Sequence, residues 1–186
     1  MPRAPHIGKQ PRVVAVLTSL DSLTRFSMLK VKPCHLAEIR LDHIGPAADW
    51  LPLCRDLELA GTPVILTLRA AYEGGKWSGR DEDRLKILER VLPDVSAVDV
   101  ELKSGLAPKL QDRGKQIIVS HHDFSRTPPL GELRKTVSQA FAQGDVAKIS
   151  TMVNSPKDVS LLEEVLAEKH PGPICVIGMG ELGAKT

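Results

Sequence analysis

Lys148 sits in Asp145-Val146-Ala147-Lys148-Ile149-Ser150, an apolar, β-branched setting. Desolvation there is expected to disfavour the ammonium and lower the amine pKa toward neutrality. A neutral amine is a nucleophile toward carbonyls; the plainer reading is a lysine at a strand end that carries its charge to water. Glu38-Ile39-Arg40-Leu41-Asp42 alternates charged with apolar residues, so on a strand its three charged side chains share one face. They read either as an ion-pair ladder or as a set in which Arg40, with Arg69, holds a carboxylate or hydroxyls and Glu38 orients an arginine or accepts from a hydroxyl. Glu101 stands among branched residues in Val98-Asp99-Val100-Glu101-Leu102 and needs a cationic or hydrogen-bonding partner. Ser120-His121-His122-Asp123-Phe124 offers one, because a carboxylate that fixes an imidazole's tautomer makes a defined proton carrier. The same run also reads as a metal-binding or capped loop. The glycines of Ile177-Gly178-Met179-Gly180-Glu181-Leu182-Gly183 fit an anion-binding nest, or only a turn.

The elements that must carry these residues alternate. Branched apolar runs at 13–17, 36–41, 64–68, 95–102, 116–119, 146–152 and 174–177 read as strands buried on both faces. Helical spacing marks 81–92, 130–142 and 156–168, the last opened by Pro156 with Ser155 as its cap. Gly61, Gly114 and Gly144 fall where helices should stop. Such βα alternation suits a doubly wound sheet or a (β/α)8 TIM barrel. No Gly-x-Gly-x-x-Gly follows the first strand, and charged residues gather at the C-terminal ends of several strands, which favours the barrel. The expected organisation is a flexible N-terminal segment over 1–12 and one catalytic barrel domain over 13–186, since 186 residues suffice for a single large core.

Composition narrows the function classes. A formal charge of +2 without blocks of like charge implies neither nucleic acid nor an anionic membrane as partner. Cys34, Cys54 and Cys175 are odd in number and widely spaced, unlike a disulfide framework or zinc site, which fits a reducing, cytoplasmic setting. The first twelve residues lack the apolar core of a signal peptide, and no run approaches membrane-spanning length.

In chain order, Glu38-Ile39-Arg40-Leu41-Asp42, Thr67-Leu68-Arg69 with Glu73-Gly74-Gly75 after it, Asp99-Val100-Glu101-Leu102, Ser120-His121-His122-Asp123-Phe124, Ala147-Lys148-Ile149 and Met179-Gly180-Glu181-Leu182-Gly183 together resemble type I 3-dehydroquinate dehydratase, the Schiff-base lyase of the shikimate pathway. The resemblance implies a (β/α)8 barrel in which Lys148 forms an imine with the ketone of 3-dehydroquinate. His122, directly before Asp-Phe, would shuttle protons, Glu101 would orient His122, and Glu38, Arg40 and Arg69 would hold the substrate. It implies a small-molecule substrate, no metal or organic cofactor, and a homodimer. Val16 stands where family members place a serine.

Family members continue past Met-Gly-x-x-Gly into an arginine, an eighth strand and a loop that closes over the substrate, whereas this chain stops at Thr186. The expectation is therefore a barrel lacking its last strand and helix, with an impaired, ligand-binding or self-associating form as the alternative to an active enzyme. A second alternative is a metal-dependent barrel hydrolase or aldolase built on His121, His122 and Asp123.

Overall fold

The computed structural model describes residues 10–111 and 114–185. Most of the expected N-terminal segment, residues 1–9, lies outside the described residues. Seven strands form one sheet in the order β1 to β7: β1 (Val14–Leu17), β2 (Leu36–Arg40), β3 (Val64–Thr67), β4 (Ala97–Glu101), β5 (Gln116–Asp123), β6 (Val146–Met152) and β7 (Ile174–Met179). Each pairs in parallel with its neighbour in sequence. The crossovers carry helices α1 (Leu20–Met28), α2 (Leu41–Ile44), α3 (Leu51–Leu59), α4 (Asp81–Val91), α5 (Ala107–Leu110), α6 (Leu130–Phe141) and α7 (Pro156–Ala167).

Alternation along the strands decides which face each residue serves. Ala37 and Ile39, Val64 and Leu66, Val98 and Val100, Ile117 and Val119, and Ala147 and Ile149 join one core with Leu23, Phe26, Leu57, Leu88, Val137 and Leu162 of the helices. Their partners on the opposite face, Leu36, Ile65, Ala97, Ile118 and Val146, form a separate apolar cluster. Burial on both faces explains why the runs read as continuously apolar. Each fully buried Leu or Ile contributes about 1.5–3 kcal/mol.

The sheet must curl. Lys148 on β6 lies 3.5 Å from Glu38 on β2, although four strand spacings of about 4.8 Å would separate them by about 19 Å in a flat sheet. The second face is thus the inside of a barrel wall, open between β1 and β7 among the described residues.

The helix start at 156 follows its sequence signals: Asp158 accepts from the backbone N–H of Ser155 at 3.0 Å, with Pro156 in the first turn. Two strands run longer than expected. β5 continues through Ser120–Asp123 because β6 supplies a partner for each of those residues. β7 reaches Met179, after which Gly180 turns the chain at φ +85° and Gly183 packs on the Gly178 backbone, where a Cβ would come within 2.3 Å.

Candidate active site

Two residues above the apolar cluster, the same inner face changes character. β2, β3, β4, β5 and β6 present Glu38, Thr67, Asp99, Ser120 and Lys148, and then Arg40, Glu101 and His122 nearer the strand ends, with Arg69 just beyond β3. The C-terminal ends of parallel strands thus bring together residues up to 110 positions apart in sequence, Glu38 to Lys148.

Asp99 is the hub. Its Oδ2 accepts from the Lys148 amine at 2.9 Å, while Oδ1 accepts from Arg69 Nη2 at 2.6 Å and from the Ser120 hydroxyl at 2.6 Å. Burial alone would raise the Asp99 pKa, but Arg69 and Lys148 outweigh it and hold the carboxyl well below the usual range. For Lys148 burial opposes the charge, yet Asp99 and Glu38 overcome it and raise the amine pKa. This corrects the expectation of a lowered value: apolar neighbours in sequence lie on the other face, and across the barrel the amine meets two carboxylates. The lysine does not escape to water either, its side chain being 16% exposed.

Glu38 accepts from Thr67 at 2.8 Å and lies 3.5 Å from Lys148. Arg40 forks onto Asp42, with Nε and Nη2 each 2.9 Å from a carboxylate oxygen. Asp42 does not share a strand face with them, because β2 ends at Arg40 and Asp42 lies in the first turn of α2. Arg69 is almost fully buried, with Nη1 donating to Ser120 at 2.6 Å and lying 3.3 Å from Glu101. Its guanidinium braces Asp99 as well as facing the interior.

Glu101 is not the carboxylate that bonds His122. Its Oε1 accepts from the backbone N–H of Ala70 at 2.9 Å and its Oε2 from Arg84 at 2.6 Å. The carboxylate opposite His122 Nδ1 is that of Glu73, at 2.9 Å. Glu73 closes a 3-10 turn over Ala71–Glu73, and Gly74 follows at φ +75°. The Phe124 ring lies over Gly74, where a Cβ would come within 2.5 Å, and stacks on His122 with centroids 5.9 Å apart. Gly75 has equally little room, its virtual Cβ falling 2.0 Å from the Arg69 carbonyl oxygen. The Glu-Gly-Gly run therefore wraps a turn tightly enough to aim a buried carboxylate at an imidazole. In the sequence that carboxylate stood only within the motif Glu73-Gly74-Gly75, with no role given to it, because a loop that folds back carries no periodicity; the adjoining glycine pair was the further signal available.

His121, one residue earlier, takes the opposite side by strand alternation; burial depresses its pKa. Among the described residues no three His, Cys, Asp or Glu side chains cluster as metal ligands, and no helix is long and apolar enough to cross a membrane.

A buried amine held between two carboxylates, with a carboxylate-oriented imidazole on the neighbouring strand, is equipped for carbonyl and proton-transfer chemistry. Known proteins are similar in sequence and in fold. The 3-dehydroquinate dehydratase of Methanosarcina barkeri is 39% identical over 212 residues, covering 97% of this chain and 83% of that one. That of Methanocaldococcus jannaschii is 38% identical over 159 residues, covering 81% and 70%. The structure of 3-dehydroquinate dehydratase from Geobacillus kaustophilus superposes with a TM-score of 0.85 at 25% identity, over 96% of this chain and 77% of that one. That from Enterococcus faecalis gives 0.82 at 25% identity, over 97% and 84%. With the family model for type I 3-dehydroquinase matching residues 13–186, this chain belongs to that family.

Proposed function

We propose that the chain is a 3-dehydroquinate dehydratase that eliminates water from 3-dehydroquinate to give 3-dehydroshikimate through an imine on Lys148. The observation that carries this reading is the placement of the Lys148 amine, 2.9 Å from Asp99 and 3.5 Å from Glu38 at the centre of the inner polar face. The relatives' names supply the substrate.

The amine rests as an ammonium, so attack on the ketone begins with transfer of its proton to a neighbouring carboxylate. Glu38 suits this better than Asp99, whose anion two further donors stabilise. Addition to the carbonyl and loss of water give an iminium, an electron sink for the adjacent carbon. His122 donates through Nδ1 to Glu73, which leaves Nε2 to remove the α-proton. The resulting enamine expels the β-hydroxyl, which leaves as water with the proton His122 returns. Hydrolysis of the product iminium restores the ketone and Lys148. Arg40, with a side chain 20% exposed and two of its nitrogens bonded to Asp42, keeps Nη1 for the substrate carboxylate or hydroxyls in this reading.

Borohydride reduction in the presence of 3-dehydroquinate tests the reading. A ligand-derived mass on the peptide containing Lys148 is expected. The label on Lys103 or Lys115, or turnover without any label, would overturn it.

A further inference from the structure

Arg84 is fully buried, although it belongs to the first turns of α4, where a guanidinium reaches water at no cost. It reaches inward. Nη1 donates to Glu101 at 2.6 Å and to the Leu68 carbonyl at 3.3 Å, and Nη2 lies 2.9 Å from Asp81. Glu101 in turn accepts from the backbone N–H of Ala70 and lies 3.3 Å from Arg69 Nη1. One ion pair thereby joins the end of β3, the end of β4 and the start of α4.

The stretch between those anchors, residues 70–80, carries Glu73. Its middle is tied to its own base by Ala71 donating to Trp77 at 2.9 Å and Trp77 donating to Arg69 at 3.1 Å, and to α2 by Lys76 donating to Asp42 at 3.1 Å. Its two ends meet at Arg84 and Glu101. A planar guanidinium that meets Glu101 and the Leu68 carbonyl through Nη1 and pairs with Asp81 through Nη2 ties a loop's entry to its exit, which a point charge does less well.

We propose that Arg84 and Glu101 are positioning residues for the acid–base pair: their buried contact fixes the loop over residues 70–80 so that Glu73 meets His122. This rests on the assignment of His122 as proton carrier. Neither residue touches the reacting atoms.

The test uses the full chain. Arg84→Met should lower kcat by about a hundredfold, the scale of an ångström-level misplacement. KM should move by no more than about threefold, because Glu38, Arg40 and Lys148 keep their positions. Borohydride should still label Lys148. In nitrogen-15 spectra, His122 of the unsubstituted protein should be fixed as the Nδ1–H tautomer, and Arg84→Met should give a tautomer mixture. The double variant Arg84→Met/Glu73→Gln should be no slower than Glu73→Gln alone, since both changes break one chain of contacts. Arg84→Lys should restore part of the loss.

Losses that multiply in the double variant, or a fixed His122 tautomer in Arg84→Met, would overturn the proposal. If Arg84→Met does not fold, Glu101→Gln enters the same cycle, and wild-type kcat and tautomer in that variant would be equally decisive against it. Should the unsubstituted chain neither turn over nor take a label, the function proposed above fails. The tautomer comparison still decides whether Arg84 positions the histidine.

Discussion

Five strands supply two layers to the barrel interior, two residues apart, and the layers obey opposite rules. The lower one, Leu36, Ile65, Ala97, Ile118 and Val146, is apolar and holds by burial alone. The upper one, Glu38, Thr67, Asp99, Ser120 and Lys148, is largely buried too but polar, and its members survive there because each finds a partner: Thr67 on Glu38, and Ser120 and Lys148 on Asp99, which Arg69 also braces. The difference shows where chemistry can be lodged in a sheet buried on both faces. The lower layer can lose atoms and lose only stability, whereas the upper layer is a connected network in which one deletion strands several charges.

The largest expected effects fall on activity in the upper tiers. His122→Ala should reduce turnover by about a hundred- to ten-thousandfold, the usual range for a general acid–base group, while imine trapping on Lys148 persists. His121→Ala, on the other side of β5, should lose less than about tenfold. Steady-state kinetics on the two single variants decides the matter, and equal losses would erase the distinction between the faces of β5.

Next comes the hub. Asp99→Asn leaves Lys148 and Arg69 buried with reduced compensation, and breaking a buried ionic cluster from one side typically costs about 3–5 kcal/mol. Chemical denaturation at neutral pH measures it. The pH dependence has a definite sign. The folded Asp99 pKa lies below its ordinary 3.8, so its stabilisation is present above that value and lost as pH falls below it. The folded Lys148 pKa lies above 10.5, so its contribution is complete below that value and lost as pH rises through the folded value. The stability gap between the unsubstituted protein and Asp99→Asn should therefore be constant near neutrality and narrow below about pH 4. A gap that widened in acid would mean the carboxylate was not held as an anion.

What the sequence disclosed of these layers follows from how local each signal is. β6 is bounded at Val146 and Met152 as its branched run suggests, and α7 opens at Pro156 behind Ser155, because pattern and caps act within a few residues. Lys148 and Glu38 were visible as charged residues in apolar strand contexts, His122 as part of a polar run placed just after a strand, and all three face the barrel interior. The partnerships among them were not visible. Asp99 acts on Lys148 from 49 residues away, and a carboxylate on a neighbouring strand end looked like the natural partner for His122. Glu101 does register beside Ser120, but Arg84 from α4 takes its charge, and Glu73 reaches His122 from a loop. Strand periodicity assigns faces; it says nothing of which helix or loop residue arrives above them.

The smallest expected effect sharpens the comparison most. Ile118 precedes Ser120 and His122 on the same face of β5 and belongs to the apolar layer, with 5% of its surface exposed. Ile118→Val removes one methylene and leaves a cavity of that size against Ile65, Ala97 and Val146, which should cost about 0.5–1.5 kcal/mol. The backbone of β5 stays pinned by its ladders to β4 and β6, so Ser120 keeps its bond to Asp99 and His122 its bond to Glu73. The midpoint of denaturation should fall accordingly while kcat and KM stay within about twofold of the unsubstituted protein. A methylene lost from the lower layer that slowed turnover by tenfold or more would show that the two layers are one mechanical unit. Packing below would then tune the geometry above, and the polar network would not be self-supporting.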